Sequence, residues 1–130
     1  HTDSVAIGSG SLTSAMNTVS FGSAGNERRL MNVAEGILGT DAINLDQLNR
    51  AVTGLNRGIA ATTALATPLL SLERGETGFA MGAGYYEGET GMAFRVAHQM
   101  DLNTPVLLSA GYSSAGGQTG AAQVGMAFKF

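Results

Sequence analysis

No cysteine occurs in this chain, which excludes disulfide frameworks and thiolate metal sites. Freedom from thiols also suits a protein that crosses an oxidising compartment unfolded. Charge is scarce: Asp, Glu, Lys and Arg make up 13% of the 130 residues, and a net charge of −3 leaves no electrostatic footprint for nucleic acid. Long apolar runs are missing too. The longest candidate, residues 58–70, carries three Thr and a Pro and falls short of the roughly 20 residues a spanning helix needs. No signal peptide precedes His1, so the chain is expected to be the C-terminal piece of a longer exported protein. Asp41, Asp46, Glu73 and Glu76 show no pairing around a pocket, which removes support for a hydrolase. No enzyme activity, cofactor or metal is expected. Gly82-x-Gly84-x-x-x-Gly88 resembles a phosphate loop only superficially, because a strand rather than a helix follows it.

Nineteen glycines and many alanines are present instead, and from residue 78 they alternate with large apolar residues. Phe79, Met81, Ala83 and Tyr85 oppose Gly78, Ala80, Gly82 and Gly84. Met92, Phe94, Val96, His98 and Met100 oppose Gly91, Ala93, Arg95, Ala97 and Gln99. Val106, Leu108, Ala110 and Tyr112 oppose Leu107, Ser109, Gly111 and Ser113, and residues 122–130 repeat the pattern to the aromatic Phe130. Strands of about 9–11 residues with this dyad period are the signature of a transmembrane β-barrel. The minority face is too small-sided to supply a conventional core. It implies lipid outside and something close-fitting inside. Tyr85, Tyr86 and Tyr112 fit an aromatic girdle, with ordinary barrel packing as the alternative. His98 belongs with the lipid-facing set.

The close-fitting filler is a heptad run. Apolar or small positions fall at Leu45, Leu48, Val52, Leu55, Ile59, Thr62, Ala66 and Leu69, in steps of three and four that predict a coiled coil. Its seam is Leu48, Val52, Leu55 and Ile59. A single amphipathic helix packed in a globule is the alternative. Thr40 or Asp41 offers the N-cap, and Pro68 bends or stops the helix. Gly58 on the helix, with Gly82 and Gly84 on the first strand, are expected to be close-approach positions. Arg95 faces the barrel interior, where it clasps a helix or a neighbouring subunit, or meets water.

Four strands cannot close a barrel, since such barrels begin at about eight, so copies must contribute. Twelve strands give a backbone radius near 12 Å, roughly what three packed helices fill. The expected fold is a membrane β-barrel plus coiled coil: a homotrimeric 12-stranded barrel, four strands per chain, filled by three helices. A helix of about 30 residues is expected to protrude at one end. The longest strand connection is expected at residues 113–120, facing outward. Ahead of the helix, Ser4-Val5-Ala6-Ile7-Gly8-Ser9 matches Thr18-Val19-Ser20-Phe21-Gly22-Ser23 at an offset of 14, which suits coils of a β-solenoid. The expected divisions are 1–23 as β-roll repeats, 24–40 as a neck, 41–72 as stalk and pore helix, and 73–130 as barrel.

Gly58-Ile59-Ala60-Ala61 leading to Gly82-Ala83-Gly84-Tyr85-Tyr86-Glu87-Gly88, with the terminal Val124-Gly125-Met126-Ala127-Phe128-Lys129-Phe130, resembles the anchor of the trimeric autotransporter adhesins, the YadA-like surface proteins of Gram-negative bacteria. Ser4-Val5-Ala6-Ile7-Gly8 is similar to the family's head repeat. Asn32-Val33-Ala34 and Asp41-Ala42-Ile43-Asn44-Leu45-Asp46-Gln47-Leu48 are similar to its neck. The resemblance covers essentially the whole chain. It implies an outer-membrane anchor and translocation pore that exports and displays its own N-terminal passenger, by type V secretion, for adhesion to host cells or matrix. The implied partners are further copies of the chain, outer-membrane lipid, the outer-membrane assembly machinery that reads the C-terminal aromatic Phe130, and host surface or matrix proteins. Anchor in the outer membrane and stalk on the cell surface is the implied placement. A passive outer-membrane channel with a helical plug is the other functional reading, and a soluble fibre end the third.

Overall fold

The computed structural model describes residues 1–69 and 71–128. The chain divides into two compact units, His1–Asn44 and Leu45–Phe130.

In the first unit, β1 (Val5–Ala6) pairs in parallel with β2 (Val19–Ser20), with Val5 opposite Val19 and Ala6 opposite Ser20. The offset is the 14 residues separating the sequence repeats. Side chains tie the intervening loop to the backbone: Ser4 Oγ donates to Ala15 O at 2.9 Å, and Thr18 Oγ1 does the same at 2.9 Å. The Arg28 guanidinium donates to Ser9 O and lies where a Cβ on Gly8 would stand, and Gly8 has a φ of 102°, which side chains rarely adopt. Further on, the Asp41 carboxylate accepts from Ile37 N and Leu38 N, both at 2.9 Å. Those bonds, Leu38 first, hold the Asp41 carboxyl below the usual aspartate range.

That turn corrects the expected helix start. Asp41 is committed to the amides before it and cannot cap a helix after it, so α1 begins four residues later, at Leu45 (Leu45–Leu65). Asn44 stands at the N-cap position, and its side chain also donates to Val33 O at 3.2 Å. The helix ends sooner than expected as well. Pro68 lacks an N–H and disfavours helical geometry at Thr67; one further turn closes with Thr67 N on Ala64 O at 3.4 Å. The helix is therefore 21 residues, about 32 Å long rather than 45 Å. No helix among the described residues is long and apolar enough to cross a membrane.

After a turn at residues 73–76, with Gly75 in the left-handed region at φ 77°, four antiparallel strands follow in meander order: β3 (Thr77–Tyr86), β4 (Glu89–Met100), β5 (Val106–Ala115) and β6 (Thr119–Phe128). The first hairpin is a two-residue turn, Glu87-Gly88, with φ values of 45° and 84°, the arrangement that matches strand twist. The expected long loop at 113–120 is not there. Ser114 pairs with Gly120 and Ala115 with Thr119, so small polar residues that read as loop continue the ladder and leave residues 116–118 as the turn. The longer connection is 101–105, at the opposite end of the sheet. Phe130 lies outside the described residues.

Candidate functional site

The register of the sheet writes its two faces as cross-strand rows. On one face, Gly84–Gly91–Ala115–Thr119, Gly82–Ala93–Ser113–Ala121, Ala80–Arg95–Gly111–Gln123 and Gly78–Ala97–Ser109–Gly125 stand side by side. All but Arg95 and Gln123 are small. On the other face, Met81–Phe94–Tyr112–Ala122 and Phe79–Val96–Ala110–Val124 are typical rows. Phe79 and Phe94 stack with centroids 5.8 Å apart. Val124 is 87% exposed, Met81 75% and Tyr85 70%. Apolar bulk is turned outward, and the buried residues are alanine and serine with one leucine, Leu65.

Helix α1 lies on the small face. Ala60, Ala61 and Ala64 are fully buried there, with Ala93, Ala97, Ala115 and Ser113 across from them, and Leu65 is the one large residue in this core. The approach is backbone to backbone. A Cβ on Gly84 would stand 2.6 Å from Ala64 N and collide with Ala60 O; one on Gly91 would stand 2.6 Å from Ala60 O. A Cβ on Gly82 would collide with Thr67 Oγ1 and Ala64 O. Within this one chain a Cβ on Gly58 meets nothing within 4 Å, and the same is true of Gly54. The helix's contribution to the close approach comes from Ala60, Ala61 and Ala64, whose stripe is rotated away from Gly58.

The opposite side of the helix carries the heptad residues. Leu48, Val52, Leu55 and Ile59 are 47%, 44%, 68% and 41% exposed. Four apolar side chains in that spacing, turned from the sheet, leave an uncovered seam. Thr62, next in the series, closes its hydroxyl onto Gly58 O and Ile59 O at 3.1 and 3.0 Å.

Arg95 reaches the end of the helix of its own chain. Its guanidinium donates through Nη1 to Thr67 O at 2.7 Å, just past the helix end, where carbonyls lack intrahelical partners and the dipole is negative. Its Nε is buried without a partner. His98 Nδ1 lies 2.9 Å from Thr77 Oγ1 on the outward face, and no group of three metal-ligating side chains occurs among the described residues. Tyr85, Tyr86 and Tyr112 all lie toward the hairpin-tip end of the sheet.

Sequence reasoning missed one pair. Arg57 Nε donates to Glu89 Oε2 at 3.0 Å, bridging the helix and the first residue of β4. The signal was present: Arg57 falls three and four residues before Ala60 and Ala61, so it shares their sheet-facing stripe, where a charge needs a partner.

Comparison with known families assigns both halves of this arrangement. Residues 29–70 match the family model for the coiled stalk of trimeric autotransporter adhesin, and residues 72–130 match that for the YadA-like membrane anchor domain.

Proposed function

The chain belongs to the trimeric autotransporter adhesins, and on that premise we propose that it is the anchor and export pore of a surface adhesin: three copies form a 12-stranded outer-membrane barrel whose lumen holds their three helices. The observation carrying this reading is the inversion of the sheet, with the helix seated on Gly, Ala and Ser while Phe79, Met81, Phe94, Tyr112 and Val124 face outward. That suits lipid around the barrel and helices within it.

Magnitudes support closure by copies. β3 has 10 residues and pairs on one side only, as does β6. About half its backbone groups therefore point at an open edge, each costing several kcal/mol in lipid. The sum exceeds the roughly 5–15 kcal/mol by which a domain is stable, so edge must meet edge of another copy. The exposed seam of Leu48, Val52, Leu55 and Ile59 gives those copies a coiled-coil contact in the same assembly.

Direction follows from the helix. Its N-terminal half runs past the turns at 87–88 and 116–118, with Asp46, Asn49, Arg50 and Thr53 beside Gln118 and Thr119. That end is read as the exterior side because the chain ahead of α1 leads away from it, a ground that replaces loop length, since the longer connection, 101–105, lies at the other end of the sheet. The residues before α1 are read as head-type coils and neck on the surface. Host cells or matrix are the target of the displayed passenger, and Phe130 is the signal for outer-membrane assembly. Folding outside the cell supplies the driving force, with no nucleotide.

Two measurements test the proposal. Unboiled protein in detergent should migrate as a trimer of the 13.2 kDa chain, and an epitope fused ahead of His1 should be cleaved by protease added to intact cells. A monomer that stays dispersed in detergent-free buffer overturns it, as does a protected epitope.

A further inference from the structure

Arg57 occupies a place along the helix that no other residue can take. On the stripe that meets the sheet it stands between Thr53 and the buried Ala60, Ala61, Ala64 and Leu65, one heptad after Arg50, the other cation of that stripe among the described residues. Glu89 faces the same side of the sheet as Gly91, Ala93 and Arg95, directly behind the Glu87-Gly88 tip. The two side chains are only 31% and 24% accessible. The neighbouring hairpin tip closes on the same guanidinium. A Cβ added at Gly116, whose φ is 61°, would stand 2.5, 2.7 and 2.8 Å from Arg57 Nε, Cζ and Cδ. One arginine thus joins the helix to two strand turns at one mouth of the sheet.

Sliding the helix breaks this arrangement in either direction. A shift of one heptad that brings Arg50 to Glu89 carries Arg57 to the fully buried place of Ala64, where a guanidinium has neither room nor partner. Shifts of three or four residues offer Glu89 only Thr53, Gly54, Ala60 or Ala61. A shift of a heptad the other way brings Pro68 into the place of Ala61, inside the helix, where its ring and missing N–H are not tolerated.

We propose that Arg57 and Glu89 form a register pin, a positioning pair that fixes where the helix comes to rest once the passenger has left and thereby closes the hairpin-tip mouth of the pore. The idea rests on the export-pore reading above. While passenger chain is passing, Glu89 faces a changing series of residues; Arg57 arrives last and satisfies it. With one pair per copy, three pins ring the mouth.

Purified trimer in planar bilayers supplies the test. Arg57→Gln and Glu89→Gln should each raise the open fraction about ten-fold, the size expected from losing one charge-assisted hydrogen bond, while the unboiled trimer band persists. Gly116→Ala should do the same with both charges intact, by displacing the guanidinium. The exchange Arg57→Glu with Glu89→Arg should restore closure, which a purely structural loss would not. Single variants as quiet as the parent overturn the pin and leave the anchor reading standing, and so does an exchange variant as leaky as the singles. A parent that conducts steadily overturns the helix-filled pore itself, and the pin with it.

Discussion

Ala83 and Gly84 are chain neighbours on β3, yet they answer to different surroundings. Ala83 is exposed in the row with Met92, among Phe79, Met81 and Tyr85. Gly84 is buried beneath the helix, with Ala60 and Ala64 main-chain atoms where its Cβ would be. One peptide bond separates a face that accepts bulk from a face that accepts none. The same division runs along α1, where Ala60, Ala61 and Ala64 are sealed while Leu48, Val52, Leu55 and Ile59 stand open. In a water-soluble domain large residues go in and small or polar ones out; here the usual order is reversed on the sheet, and the reversal reports the solvent.

The largest effect should come from pressing on the sealed face. Gly84→Phe forces a ring into main-chain atoms, beyond the roughly 1–3 kcal/mol typical of overpacking, and should abolish both surface display and the heat-resistant trimer. Ala83→Phe, one residue away, should leave both within experimental error. Equal outcomes for the two would erase the distinction between the faces.

Next in size is the open side of the helix. Ile59→Asp should cost the trimer its heat resistance in unboiled gels, because three carboxylates would converge in the seam, where an unpaired buried charge costs about 3–5 kcal/mol. An unchanged melting of the trimer would mean that Ile59 lies elsewhere.

Much of this division is legible in the sequence, because period-two alternation between Gly or Ala and large apolar residues survives any detail of pairing. The same periodicities put Leu48, Val52, Leu55 and Ile59 on one side of the helix and the glycines of β3 on one side of the strand. What local pattern could not supply was competition. Asp41 reads as a helix cap until the amides of Ile37 and Leu38 claim its carboxylate. Ser114, Ala115 and Gly120 read as loop until the ladder from Ala115 to Thr119 takes them up. Gly58 reads like Gly82 and Gly84, but which neighbour it faces depends on which stripe of the helix meets the sheet. Arg57 and Glu89 are 32 residues apart, beyond any local signal, though a charge on an alanine stripe was a clue.

Moderate effects belong to the outward face. Met81→Lys should lower the stability of the folded barrel in lipid by about 2–4 kcal/mol if Met81 lies near the bilayer centre, read as a lowered unfolding midpoint in vesicles. A neutral outcome there would place Met81 at the interface or off the lipid face.

The smallest effect lies in the first unit, in its 37–41 turn. Asp41 is held below the ordinary aspartate range by the Leu38 and Ile37 amides, so its charged form favours the fold. That contribution is present above the unfolded aspartate pKa and fades as pH falls through the lower, folded value. Amide exchange at Ile37 and Leu38, corrected for intrinsic rates, should quicken over that acidic window, and Asp41→Asn should flatten the dependence. Exchange that ignores pH in the parent would deny Asp41 its grip on the turn.

The parallel pairing of Val5 with Val19 has an architectural meaning. Fourteen residues wound as one such coil raise a stack by a single interstrand spacing, about 4.8 Å. The same fourteen residues in an α-helix span about 21 Å. Helix is therefore the economical way to gain reach from a cell envelope, and coils of the Val5 type are the way to widen lateral area at a given height.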